Sequence, residues 1–318
     1  MRERVIVYGL GANFRKYKEN IFVEYTVVGL SDKDEQVLAV EEEACKKIKV
    51  ENIRQELATC DKVLITCNRY GEVTKFLVDN FKMPLERIEA YVLKENNGKG
   101  YVRFYGEHNE DAIVALILKQ AKLAVSDIAY LDIGVNHPIE CNNSYYFYER
   151  GASGVLVDPL EWSKYASVVA RPRDKFMLAA VSDETKVEGA AFYVCDNDAL
   201  SSLHADHRKR WDGKTNNGLR ANITVDIIGV NDILQSMNPY PQVIFIDAEG
   251  EDIKIALAID YQKYKPLIIC AEVCGYPTKI HDDFVMTMQE KGYNLYSNIN
   301  NVNDIFVKDS IMKELNEK

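Results

Sequence analysis

AYLDIGVNHPIECNNSYYFYERGASGVLVDPLEWSKY, residues 129–165, decides how the rest of the chain is read. An apolar run closes on Asp132-Ile133-Gly134, a polar turn Val135-Asn136-His137-Pro138 follows, and a second apolar run, Val155-Leu156-Val157, closes on Asp158. The pattern is strand, tight loop, helix, strand, acid. In an open parallel α/β sheet, ligands bind beyond the carboxyl ends of the strands. A glycine there lets the backbone approach the ligand, and an acid on the next strand can accept both hydroxyls of a ribose. Pro138 suits the first position of a helix, with Asn136 or His137 as its cap.

This stretch resembles the FkbM family of S-adenosylmethionine (SAM) dependent methyltransferases, whose first motif has the form Asp-x-Gly-Ala-Asn and whose second strand ends in Glu-Pro. The matching residues are Asp132, Gly134, Asn136 and then Asp158-Pro159. Pro138 stands where many members have a further glycine, and Asp158 replaces the usual glutamate, one methylene shorter but equally able to hold a ribose. The resemblance continues through AAVSDE (179–184), IFIDAEGEDIKIAL (244–257) and KPLIICAEV (265–273), so it covers the last two-thirds of the chain. It implies a class I methyltransferase fold, a Rossmann-like α/β sheet that is mostly parallel and ends in an antiparallel hairpin. It also implies SAM as methyl donor and a small-molecule acceptor, a sugar or sugar conjugate, methylated on a hydroxyl. Asp132, Gly134, Asn136, Asp158 and Asp247 would then face the cofactor, with Ser182 and Asp183 near its adenine. A simple turn with an Asx cap explains Ser182-Asp183 as well.

A chain of 318 residues has room for two domains. Its net charge of −10, with no basic cluster, speaks against nucleic acid and for small molecules. Seven cysteines, odd in number and irregularly spaced, read as reduced thiols of a cytoplasmic protein. Cys270 and Cys274 read as small core residues in or beside a buried strand. Neither cysteines nor histidines have zinc-ligand spacing. No stretch approaches the roughly 18 apolar residues of a membrane span. Met1-Arg2-Glu3-Arg4, followed at once by Val5-Ile6-Val7, lacks the apolar core of a signal peptide.

Residues 1–105 read as a small accessory α/β domain, Rossmann-like, with strands at 4–8, 25–30, 62–66 and 88–93 and helices at 39–47 and 72–81. Gly9-x-Gly11, with Asp32 some twenty residues on, is part of a dinucleotide fingerprint, but Phe14 holds the third glycine position. A bulky residue there impedes the close packing of helix on strand that this motif requires. The glycines are therefore expected to serve the turn without seating NAD as a redox cofactor, and the domain to hold the acceptor's carrier group or mediate self-association. It is also similar, more loosely, to Rossmann-like domains attached to enzymes that modify bacterial surface sugars, which implies nucleotide-sugar binding or assembly. The rival readings are an NAD-linked oxidoreductase using Gly9, Gly11 and Asp32, and a non-catalytic binding protein.

The polar stretch 94–100, with two glycines, is the expected linker, and the boundary falls between 94 and 108. Residues 106–318 form the methyltransferase domain. A helix over 109–122, with Ile113, Leu116, Ile117 and Gln120 on one face, leads in. A third strand spans 176–181, two β-like segments follow at 190–195 and 221–228, and a helix covers 230–237. The fourth strand, 243–246, ends in Asp247, and the fifth, 267–270, ends near Glu272. A helix at 279–291 precedes a closing antiparallel pair, 293–297 with 304–307.

Methyl transfer from a sulfonium is an in-line displacement, so the protein must chiefly hold a nucleophile behind the methyl group. A hydroxyl is a poor nucleophile at neutral pH, so a general base is expected, and histidine has the fitting pKa. His207, then His204, are the candidates, both on the polar stretch 201–218 that can close over the sheet edge. Asp247 is the rival. Asp247, Glu249 and Glu272 can also supply oxygen ligands for magnesium. Glu249 and Glu251 can instead cap or charge a helix N-terminus, the preferred reading.

Overall fold

Five short strands, β1 (Arg4–Tyr8), β2 (Thr26–Ser31), β3 (Lys46–Lys47), β4 (Lys62–Ile65) and β5 (Ile88–Ala90), pair in parallel in the order β3-β2-β1-β4-β5. Helices α1 (Ala12–Glu24), α2 (Glu35–Val40) and α3 (Tyr70–Phe81) connect them. Val5 to Val7 and Val63 to Ile65 are fully buried, as strands of a parallel sheet covered on both faces must be. The order reverses between β1 and β4, which puts a ligand crevice at their carboxyl ends. The computed structural model describes residues 2–41, 45–92, 102–183, 186–206 and 218–316. Its two compact units are Met1–Val102 with Trp162–Pro172, and Arg103–Glu161 with Arg173–Lys318.

Two features of the first unit depart from the sequence reading. Helix α1 was not expected, because only Phe14 and Ile21 of its thirteen residues are buried, too thin an apolar face to read. The helix expected over 39–47 is not one element. Asp34 caps α2 by accepting from the N–H groups of Gln36 and Val37, α2 stops at Val40, and Lys46–Lys47 pair with Gly29 and Leu30 as β3. The stretch 94–100 lies outside the described residues.

The second unit opens with α4 (Glu110–Gln120), β6 (Ala129–Ile133), α5 (Tyr145–Glu149) and β7 (Ser153–Asp158). After α6 (Glu161–Ala170), which from Trp162 on belongs to the first unit, come β8 (Lys175–Leu178), β9 (Ala180–Ser182), β10 (Val187–Cys195), β11 (Leu219–Gly229), α7 (Val230–Ser236), β12 (Val243–Ile246) and α8 (Asp252–Ala258). Then follow β13 (Ile268–Glu272), α9 (Thr278–Glu290), β14 (Tyr293–Ile299), β15 (Asn303–Lys308) and α10 (Asp309–Asn316). Seven strands form one sheet in the order β14-β15-β13-β12-β6-β7-β8. All neighbours are parallel except β15, which runs antiparallel to both β13 and β14. This is the class I methyltransferase sheet, closing on the expected hairpin. Leu131, Val157, Ile244 and Ile269 are fully buried at its centre and belong to one core cluster with Val230, Ile255 and Phe306.

The second unit brings three corrections. No helix begins at Pro138: residues 135–144 form an irregular loop, in which His137 Nδ1 accepts from the N–H groups of Ile139 and Glu140, and the helix starts only at Tyr145. The run 176–181 is two strands. β8 ends at the exposed Leu178, and β9 leaves the large sheet to pair in parallel with β11, whose other edge takes β10. The buried face of α4 carries Val114, Ile117 and Leu118 with Glu110 and Asp111, while Leu116 is exposed. Asp111 turns inward to accept from the N–H of Tyr105 at 2.6 Å, and Glu110 accepts from Asn303 Nδ2 at 2.6 Å. All seven cysteines are free, and Cys270 is buried in β13. Among the described residues no helix is long and apolar enough to cross a membrane.

Candidate active site

At the end of β6 the backbone turns at Gly134 with φ +81°, and its N–H donates to the carbonyl of Val157 at 2.9 Å. A Cβ at this position would lie 1.6 Å from the carbonyl oxygen of Asp247, so only glycine lets the loops after β6 and β12 pass each other. Asn136 follows in the left-handed region, φ 46°. Asp158, the last residue of β7, clasps this loop. Its Oδ2 accepts from the Asn136 N–H and its Oδ1 from the Leu160 N–H, both at 2.8 Å. Each carboxylate oxygen retains capacity for a further donor. Burial pushes the Asp158 pKa up to about 7, more than the two N–H bonds pull it down.

Gly134, Asn136, Asp158 and Asp247 line a cleft whose apolar walls are Leu160, Ala180, Val181 and Phe192. The three-stranded sheet supplies Ala180 and Val181 from β9 and Phe192 from β10. Residues 198–203, beyond β10, also line this cleft, which holds only about 50 Å³ of free space. Asp132, expected to face a cofactor, is buried with its carboxylate accepting from Ser144 Oγ at 2.5 Å and Asn142 Nδ2 at 3.3 Å, so it fastens the loop after β6. Ser182 Oγ lies 2.9 Å from Asp183 Oδ1 and 3.1 Å from Glu251 Oε2, and it is the two residues before Ser182 that line the cleft.

Asp247, Glu249 and Glu272 converge, one oxygen from each lying within 4.8 Å of the others. Solvent reaches Asp247 through the cleft, although protein surrounds it on its other sides. That enclosure, and then the charges of Glu249 and Asp252, push its pKa well above the ordinary carboxylate value. Burial, followed by Asp247 and Asp252, does the same to Glu272. The donor set is the all-oxygen kind that a hard divalent cation accepts. Of the preferred expectation for Glu249 and Glu251, Glu251 does stand at the N-cap position of α8 and so charges the helix start, but it makes no side-chain cap bond. Neither side chain caps α8; the carboxylate that ties down the turn is Asp252, which accepts from the Ala248 N–H at 2.6 Å and the Gly250 N–H at 2.9 Å.

Glu251 has another partner. Its Oε1 lies 2.5 Å from His204 Nε2 and accepts from Lys254 Nζ at 2.7 Å, with the Glu251 carboxylate buried and the His204 ring partly exposed. The His204 N–H donates to Ser202 Oγ, which in turn donates to the Glu249 carbonyl at 2.6 Å. His204 is thus anchored beside the acidic loop after β12. His207 lies outside the described residues.

The family model of the methyltransferase FkbM domain matches residues 132–295, just over half of the chain. The chain belongs to the FkbM methyltransferase family. As a member it is a SAM-dependent methyltransferase. Among solved structures it is similar to a methyltransferase FkbM from Methylobacillus flagellatus KT, at 11% identity over 96% of this chain and 90% of that one, with a TM-score of 0.35. A TehB-like SAM-dependent methyltransferase from Corynebacterium glutamicum ATCC 13032 is similar at 11% identity over 65% of this chain and 89% of that one, with a TM-score of 0.34. No curated protein matches the chain. Within the FkbM domain, the sequence reading missed Phe192 and Asp198, which line the cleft, and the contact of Glu251 with His204. Phe192 and Asp198 reach the cleft only through the pairing of β10, β11 and β9, which leaves no local signal, whereas the acid-rich run after β12 marked Glu251 without revealing its partner.

Proposed function

We propose that this chain is an O-methyltransferase that transfers the methyl group of SAM to a hydroxyl of a carbohydrate or similar small molecule, with residues 1–105 as an accessory domain. The observation that carries the cofactor site is the clasp of Asp158 on the Gly134 loop, beneath the apolar walls of the cleft. The donor set fits SAM: the Asp158 carboxylate would accept the ribose hydroxyls, while Leu160, Val181 and Phe192 offer an apolar slot for adenine. When bound, SAM supplies a methyl group on a positively charged sulfur. The free space in the cleft is far below the size of a nucleoside, so its lining, which includes residues of the 198–203 segment, has to yield for SAM to enter.

His204 is the base we favour among the described residues. With Nε2 donating to Glu251, its Nδ1 carries the lone pair that can take a proton from the acceptor, and Glu251 holds the ring in that tautomer. His207, first among the histidines in the sequence reading, stays a candidate for the same role. A second reading has its own observation: the convergence of Asp247, Glu249 and Glu272 suits a cation that would polarise the acceptor hydroxyl. The acidic chain and its free cysteines support a small-molecule acceptor and a cytoplasmic setting. The test is turnover of methyl-labelled SAM with a panel of sugars and sugar conjugates, with the product resolved by mass spectrometry and NMR. A methyl ether on the acceptor is expected; methyl transfer to nitrogen, sulfur or carbon would overturn the assignment to oxygen.

A further inference from the structure

The first unit repeats the construction of the SAM cleft. Gly9 turns at the end of β1 with φ +93°, and its N–H donates to the carbonyl of Ser31 at 3.0 Å, as Gly134 does to Val157. Asp32, the residue after Ser31, then clasps the loop. Its Oδ2 accepts from the Leu10 N–H at 2.7 Å and its Oδ1 from the Asp34 N–H, two residues on, at 2.9 Å. Asp158 makes the same pair of bonds, to the loop after the glycine and to the N–H two residues beyond itself. Asp32 therefore also keeps capacity for ribose hydroxyls. It lines a cavity of about 510 Å³ at the switch point of the sheet, well within the roughly 300–1,000 Å³ of small-molecule sites.

One difference selects the ligand. In the second unit α5 begins eleven residues after Gly134, so no helix end adjoins the acid. In the first, α1 begins at Ala12, three residues after Gly9, and no side chain caps it. Gly11, Ala12 and Asn13 line the cavity, and a Cβ on Gly11 would meet nothing within 4 Å. The first-turn N–H groups of a thirteen-residue helix thus border the same space as Asp32, and they favour an anion. Phe14 does not obstruct it, because its ring is fully buried in the core with Val5, Val7 and Leu30. Asp32 in turn repels a phosphate on the ribose 2′ position.

We propose that the first unit binds a ribonucleoside 5′-diphosphate, free or as the head of a conjugate, with the ribose on Asp32 and the diphosphate over Gly11 at the start of α1. This site is independent of the methyl-transfer reading. The experiment is calorimetric titration of the full chain, saturated with S-adenosylhomocysteine, by ADP, GDP, CDP and UDP. At least one is expected to bind with one-to-one stoichiometry, and its 2′-deoxy counterpart about tenfold more weakly, the worth of one charge-assisted hydrogen bond. Gly11→Glu, at φ −75° and with open space around it, is expected to fold normally, to weaken nucleotide binding at least about tenfold and to leave S-adenosylhomocysteine affinity unchanged. Asn13→Glu is the second variant should the first not fold. Failure of all four nucleotides to bind at millimolar concentration, indifference of binding to both variants, or competition with S-adenosylhomocysteine would each overturn the proposal.

Discussion

Asp158→Ala is the most direct probe of the cofactor site. It removes the acceptor proposed for the ribose hydroxyls together with the two 2.8 Å bonds that fix the Gly134 loop. A hydrogen bond to a charged group contributes about 1.5–3 kcal/mol, so SAM should bind about 10- to 150-fold more weakly. The raised pKa adds a pH signature. Hydroxyl donors favour the carboxylate, so the bound group titrates below about 7, the value of the free group. Affinity of the native chain should therefore be full above pH 7 and fall below it, by at most about tenfold per pH unit. The same shift acts on stability. The folded group holds its proton more tightly than an unfolded aspartate, so its contribution to stability is full below about pH 4 and is lost as pH rises to about 7. In Asp158→Ala the affinity slope should flatten, and the stability slope should lessen by this group's share while Asp247 and Glu272, also raised, keep theirs. Calorimetry from pH 5.5 to 8.5, with circular dichroism to establish folding, measures the first, and melting curves the second. Unchanged SAM affinity in a folded Asp158→Ala protein would refute the assignment, as would a flat pH dependence in the native chain.

His204→Ala should lose about two to four orders of magnitude in turnover while keeping SAM affinity, and Glu251→Ala should lower turnover by releasing the ring, with Glu251→Gln, which keeps an acceptor oxygen, losing less. Near-normal rates from pH 6 to 9 in both His204→Ala and His207→Ala would transfer the role to Asp247 or a cation. Magnesium should raise the melting temperature by relieving repulsion among Asp247, Glu249 and Glu272, with Asp247→Asn abolishing the gain. A melting temperature indifferent to magnesium and to chelator would leave the cluster without a metal.

Local chemistry made much of this protein legible. Runs such as Val5 to Val7, Val155 to Val157 and Val243 to Ile246 announce buried parallel strands, because a strand covered on both faces is apolar throughout. Glycine and acid at the strand ends, Gly134 with Asp158 and Gly9 with Asp32, announce the two crevices. The sequence could not tell which acid lines the cleft. Asp132 and Asp158 both occur at the ends of apolar runs, yet one is turned to Ser144 and Asn142 and the other lines the cleft. Glu251 and Asp252 are adjacent, yet one meets His204 and the other ties the turn. Nor could residues 180–182 disclose that they leave the large sheet for β11, bringing Phe192 and the 198–203 segment over the site. Strand identity rests on side chains a few positions apart, which the sequence lists in order. Side-chain direction and sheet partnership rest on atoms dozens of residues away, and only the folded chain brings those together.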